Sequence, residues 1–294
     1  MLGHTPVLLQ EVLTLLAPRS NQHTVDVTLG AGGHAAAILS ATSPDGRLLG
    51  IDLDPLALDT ARQTLQPFGS RVTYVHGGAD DLPTILDEYR FPQPDCLLAD
   101  LGLSSLELGD PARGFSFQLA DSPLDMRFDP TQGRTAADLL NSERESDLAD
   151  LLYNFGEERD SRRIAKAIVS ARRTKRFATV GDLLNVFGQV GSRRGSRINP
   201  ATKTFQALRI AVNDELGRLE RFLPRAIAAL APGGRLAVIA FHSLEDRMVK
   251  QFFRDQAKAG VVALLTKHPT APSFAEITTN PRARSAKLRA VMKI

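Results

Sequence analysis

The stretch VDVTLGAGGHA, Val25 to Ala35, decides the fold. Its apolar, β-branched opening reads as a strand, Gly30, Gly32 and Gly33 as a turn, and the alanine-rich continuation as a helix. Glycines at a strand-to-helix junction let the backbone approach a ligand closely, and the free amides of the first helical turn favour a carboxylate or phosphate. The next apolar run ends in Asp52, twenty residues after Gly32. An acidic side chain at that spacing can accept both ribose hydroxyls of an adenosine. Together they describe a nucleoside-cofactor site; the plainer reading is a tight turn and a surface carboxylate.

Outward from this turn, strand-like runs at Thr24–Leu29, Arg47–Ile51, Val72–Val75 and Asp95–Ala99 alternate with helical stretches, which implies a parallel sheet with right-handed crossovers. A fifth strand follows Pro232-Gly233-Gly234 at Arg235–Phe241, after a long helical pattern from Ala201 to Leu230. A helix at Leu244–Lys258 and strands at Val261–Thr266 and Leu288–Lys293 then close the sheet as an antiparallel pair. A crossover needs far fewer residues than separate the fourth and fifth strands, so a second, mostly helical domain is inserted. The expected fold class is α/β: a Rossmann-like sheet built from 1–109 and 201–294, interrupted by a helical domain at 110–200.

At 294 residues and 43% hydrophobic content the chain can bury a full core. No signal peptide and no apolar run of membrane-spanning length is apparent, and a lone thiol, Cys96, suits a reducing compartment, so the cytoplasm is expected. The net charge of +3 is unevenly placed: Glu157 to Arg209 holds 13 Lys or Arg against 4 Asp or Glu. A basic segment on a mildly acidic body is the footprint of a polyanion partner, against the alternative of a solvated helix face. Arg172, Arg173, Lys175 and Arg176 lie at the centre of that segment.

Gly30, Gly32 and Ala35 also satisfy the dinucleotide pattern, which leaves an NAD-dependent enzyme as an alternative. A dehydrogenase normally continues into a second mononucleotide-binding half; here a helical insertion that carries most of the basic segment and a terminal strand pair follow. That arrangement favours S-adenosyl-L-methionine. No metal is expected.

Across nearly its whole length the chain resembles the bacterial 16S ribosomal RNA cytosine-N4 methyltransferase family, often called RsmH or MraW. The resemblance is carried by HTPVLLQE (His4 to Glu11), GAGGH (Gly30 to His34), IDLDP (Ile51 to Pro55), ADLGLSS (Ala99 to Ser105) and RGFSF (Arg113 to Phe117). It continues through SPLDMRFD (Ser122 to Asp129), TFQALRIAVNDEL (Thr204 to Leu216), FHSLEDR (Phe241 to Arg247) and NPRARSAKLR (Asn280 to Arg289). It implies cofactor contacts at Gly32, Gly33, His34, Asp52, Ala79, Asp100 and Glu107, and 16S ribosomal RNA within the small ribosomal subunit as partner. Ala79 stands where the family usually has an aromatic, and Glu107 where it usually has a glutamine. A homodimer is left open, as is a non-catalytic RNA-binding module with a vestigial pocket.

Methylation at cytosine C5 needs a cysteine nucleophile, and Cys96 lies inside a strand. Transfer to an exocyclic amine needs only alignment and an acceptor for the proton. Asp100, at the carboxyl end of the fourth strand, is the candidate acceptor, with a strand-end turn as its plain reading. His242, just past the fifth strand, is a candidate substrate contact; Ser243 and Asp246 read as a capping box for the helix that follows. Phe115 and Phe117, with Phe128, flank Asp125 and Arg127, a set suited to stacking an extruded base unless the rings are core. Arg282 and Arg284 are expected on phosphates.

Overall fold

The computed structural model describes residues 6–190 and 201–294. His4 and Thr5, and Arg193, Arg194 and Arg197 of the basic segment, lie outside the described residues. The chain divides into two compact units, Met1–Gly102 with Leu216–Ile294, and Leu103–Glu215.

In chain order the first unit opens with α1 (Leu9–Leu16), β1 (Thr24–Asp26), α2 (Gly33–Ala41), β2 (Leu48–Asp52), α3 (Pro55–Thr64), β3 (Val72–His76), α4 (Leu82–Glu88) and β4 (Cys96–Asp100). The second holds α5 (Ser105–Gly109), α6 (Ala136–Ser142), α7 (Glu145–Gly156), α8 (Ser161–Thr174), α9 (Val180–Val190) and α10 (Thr202–Asn213). The first then resumes with α11 (Glu215–Ala229), β5 (Arg235–Ala240), α12 (Ser243–Lys258), β6 (Val262–Leu264), α13 (Phe274–Thr279) and β7 (Lys287–Lys293).

The seven strands run in the order β3-β2-β1-β4-β5-β7-β6. β1 to β5 are mutually parallel, and β7 lies antiparallel between β5 and β6. Both faces are covered, so the central strands are apolar throughout yet still sort their side chains by the two-residue period. Leu97, Ala99, Leu236 and Val238 enter one core with α4, α11 and α12. Cys96, Leu98, Ala237 and Ile239 enter the other with α1.

The second unit has its own core, in which Leu140, Leu148, Leu152, Ile164, Ile168, Leu183 and Leu208 are buried. Its bounds differ from the 110–200 expected from sequence. The long helical pattern from Ala201 to Leu230 is two helices, broken at Asp214, whose φ of 49° is left-handed. α10 packs within the second unit so closely that a Cβ on Gly156 of α7 would stand 2.6 Å from the Lys203 carbonyl. Periodicity registers a helix's apolar face but not which core receives it.

Candidate active site

The glycine turn behaves as its sequence demands. Gly30 (φ +52°) and Gly32 (φ +83°) are left-handed, and a Cβ on Gly33 would meet the Pro6 ring at 2.5 Å. Gly32 caps α2, whose first turn holds no acidic residue, so its amides remain suited to an anion. Asp52, ending β2, is bonded to backbone: Oδ2 accepts the Gly30 N–H at 2.7 Å and Oδ1 the Asp54 N–H at 2.9 Å. It therefore straps the turn to β2, a role the ribose reading did not include. Burial outweighs those amides and pushes its carboxyl up to about 6.

Two further carboxyls end the neighbouring strands. β1 stops early, at Asp26, which leaves Thr28 level with the end of β4. Asp26 Oδ1 accepts the Thr28 N–H at 3.1 Å, and Thr28 Oγ1 accepts the Asp100 N–H at 2.6 Å. Burial pushes Asp26 up to about 7. Sequence reasoning missed this residue because the strand was carried on to Leu29, which placed Asp26 mid-strand instead of at a strand end. Burial, with Asp26 and Glu245 adding like charge, pushes Asp100 well above the carboxylate range. Its Oδ1 is buried with no hydrogen-bond partner among the described residues. Its Oδ2 lies 3.6 Å from His34 Nδ1. His34, buried in α2, donates from Nε2 to the Val7 carbonyl at 2.9 Å, which turns Nδ1 toward Asp100 as an acceptor. A protonated Asp100 is its matching donor.

His242 is the cap of α12. Its Nδ1 accepts the Glu245 N–H at 3.4 Å, and Glu245 Oε2 accepts the Phe241 and His242 N–H groups at 2.8 and 3.2 Å. The capping box is thus His242 with Glu245, one residue earlier than the Ser243–Asp246 pair read from sequence. His242 thus has a structural role that the expected substrate contact did not include; its Nε2 is buried, 3.1 Å from Glu245 Oε1 without a hydrogen bond to it. Asp246 instead binds Arg289 at 2.7 Å and Lys287 at 3.2 Å, tying α12 to β7. Ala79 is half-buried against the core after β3. Its neighbour Asp80, also missed, receives Arg218 and Arg221 of α11 at 2.8 and 2.9 Å. Cys96 is buried in β4, and burial pushes its thiol up to about 12.

In the second unit, Glu107 completes a capping box on α5: Oε2 accepts the Ser104 N–H at 2.7 Å. That capping geometry takes glutamate as readily as glutamine. Phe115 and Phe117 each pack against another ring of the second unit. Phe115 is buried against Phe128, ring centroids 5.7 Å apart, and Phe117 meets Phe205 edge-on at 5.8 Å. Arg127 is clamped on Asp125 through two bonds of 2.8 and 2.7 Å around left-handed Met126, so this pair builds a loop. Of the basic four, Arg172 donates to the Leu140 carbonyl and Lys175 pairs with Asp182. Arg173 and Arg176 are exposed, with no hydrogen-bond or ion-pair partner among the described residues. Arg282 and Arg284, in the first unit, are also exposed.

A Rossmann-like sheet with β7 set antiparallel beside β5, a glycine turn and carboxyls at the ends of β1, β2 and β4 is the fold of an S-adenosylmethionine-dependent methyltransferase. The residues fit that cofactor: an orphaned buried Asp100 oxygen among acids suits a cation, and the left-handed glycines leave room for close approach. The MraW methylase family matches residues 1–294, and the chain belongs to it. It is 48% identical to the ribosomal RNA small subunit methyltransferase H of Thermomicrobium roseum, over 99% of this chain and 94% of that one. The proteins of the same name from Sorangium cellulosum and Syntrophobacter fumaroxidans are 50% and 46% identical, over 99% of this chain and 91% and 97% of theirs. No helix among the described residues is long and apolar enough to cross a membrane.

Proposed function

We propose that this chain transfers a methyl group from S-adenosyl-L-methionine to N4 of a cytidine in 16S ribosomal RNA of the small subunit, in the cytoplasm. The observation that carries the reading is Asp100: a buried carboxyl at a strand end, one oxygen unpartnered and the other facing His34. The relatives' names supply the RNA, and the inert Cys96 thiol argues against addition to the ring and so for the exocyclic amine.

S-adenosylmethionine, when bound, supplies an activated methyl group on a sulfonium. The amides of α2 would receive its carboxylate, Asp52 would accept ribose hydroxyls while holding Gly30, and Ala79 would offer an apolar surface to the adenine. Asp100 cannot take a proton while it holds one. Positive charge brought into the site lowers its value, and the proton leaves toward His34 Nδ1. The carboxylate so formed would stabilise the charge that grows on the attacking nitrogen more than it stabilises the neutral amine, and would accept the proton that the methylated nitrogen releases. The second unit, which carries the basic segment from Glu157 to Arg209, is proposed as the RNA-recognition unit, with Arg173 and Arg176 as available cations.

The test is label transfer from radiolabelled S-adenosylmethionine to small subunits that lack the modification, followed by digestion to nucleosides. N4-methylcytidine is expected, and Asp100→Asn should lower turnover about 100-fold or more at saturating cofactor. Label at C5, or an adduct with 5-fluorocytosine RNA that Cys96→Ser abolishes, overturns the amine assignment. Cofactor binding without any transfer supports a vestigial pocket instead.

A further inference from the structure

The last thirty residues carry Lys267, Arg282, Arg284, Lys287, Arg289 and Lys293 against one acid, Glu276. Lys287 and Arg289 are engaged with Asp246, and Lys293 donates to the carbonyls of Ala228 and Leu230. Lys267, Arg282 and Arg284 are exposed. Between Lys267 and Arg282 in the sequence stands Phe274, the first residue of α13, 86% exposed and the most exposed large apolar side chain among the described residues. It makes no ring or guanidinium contact among the described residues.

The element that presents it is held firmly. Thr270 and Leu288 exchange backbone hydrogen bonds of 2.9 Å, which pins the approach to β7. Ser273 caps α13 by accepting the Glu276 N–H at 3.1 Å. Glu276 Oε1 accepts the N–H of Leu8 at 2.7 Å, a buried residue in left-handed conformation (φ 56°). The preceding carbonyl, of Val7, is the one that holds His34, which faces Asp100. A short series of contacts through the Val7–Leu8 peptide therefore connects the Phe274 helix to Asp100.

We propose that Phe274 is a stacking platform for an unpaired base of the RNA substrate, with Arg282 and Arg284 on the flanking phosphates. The inference rests on the reading of RNA as substrate. An exposed ring on a segment whose exposed charges are mainly cationic suits single-stranded RNA, which offers a π-face and phosphates together. A second copy of this chain would bring like charge to the same surface and is disfavoured.

The chain contains no tryptophan, so Phe274→Trp installs a single fluorescent reporter at the platform. Titration with small-subunit RNA should quench that emission. Phe274→Ala should raise KM for RNA roughly ten-fold, more than it lowers kcat, and Phe274→Trp should recover the loss while Phe274→Leu does not. Emission unchanged at saturating RNA, or equal KM for the alanine variant and the parent, overturns the proposal. Emission that changes with protein concentration in the absence of RNA assigns the surface to self-association and also overturns it. Quenching by RNA without any methyl transfer by the parent protein would leave the platform standing and overturn the catalytic reading alone.

Discussion

Asp26 and Asp52 end adjacent strands, and both keep their protons to unusually high pH because burial penalises the charged form. For Asp26 the folded value, about 7, exceeds the unfolded one of 3.8, so the folded state binds the proton more tightly. Its contribution to stability is full below the unfolded value and is lost as pH rises through about 7. Between about pH 5 and pH 8 that loss amounts to roughly 3 kcal/mol for Asp26 alone. Asp26→Asn, which keeps an acceptor for Thr28, should remove that share of the decline. Calorimetric melts of both proteins across this range check it; parallel profiles would mean that Asp26 is already ionised. Asp52→Ala removes the ribose acceptor and the strap on Gly30 together. It should weaken S-adenosylmethionine binding by about 1.5 to 3 kcal/mol in a calorimetric titration. Unchanged affinity would remove Asp52 from the site.

The C-terminal end of α8 and the two residues that follow it show how a charged segment divides its labour. Arg172 and Lys175 satisfy partners within their own unit, whereas Arg173 and Arg176 point their charge outward. Replacing Arg173 and Arg176 by alanine should flatten the dependence of RNA affinity on salt by roughly one unit of slope for each phosphate no longer neutralised. Replacing Arg172 and Lys175 should chiefly lower the melting temperature. Coincident salt slopes for the first pair and the parent would make the run a solvated face. α12 teaches a related lesson at its N-terminus, where FHSLEDR serves two structural tasks: His242 and Glu245 cap the helix, and Asp246 grips β7. The sequence string was legible as a capping box, but its register was not. Ser, Thr and Asp are the common caps, and a histidine nitrogen performs the same bond only once the strand end fixes its ring.

At the scale of the whole molecule, the two units have separate cores, and damage to one should be readable apart from the other. Leu148 is fully buried in the second unit, and Leu148→Ala should cost about 2 to 5 kcal/mol there. S-adenosylmethionine affinity, measured on the same preparation below its melting range, should stay near the parent's while methyl transfer to RNA falls. A parallel fall in cofactor affinity would show that the cofactor site depends on the second core.

The amino-acid sequence by itself determined the doubly covered parallel sheet, the terminal antiparallel pair, the helical insertion and the glycine turn with Asp52 and Asp100 at strand ends. These rest on local physics: the two-residue and 3.6-residue periods, glycine's access to positive φ, and the rule that open sheets bind ligands at their carboxyl ends. The tertiary structure alone decided the rest. It assigned α10 to the second core and gave Asp26 a strand end two residues before Thr28. It spent Phe115, Phe117, Asp125, Arg127, Glu107 and His242 on packing, clamps and caps. It left Phe274 in solvent. Whether an aromatic is platform or core, and whether a carboxylate is cap or ligand, depends on which groups the fold brings within a few ångströms from distant parts of the chain. A sequence names the groups, but only the folded chain fixes those distances, and with them the burial that sets each group's charge and freedom.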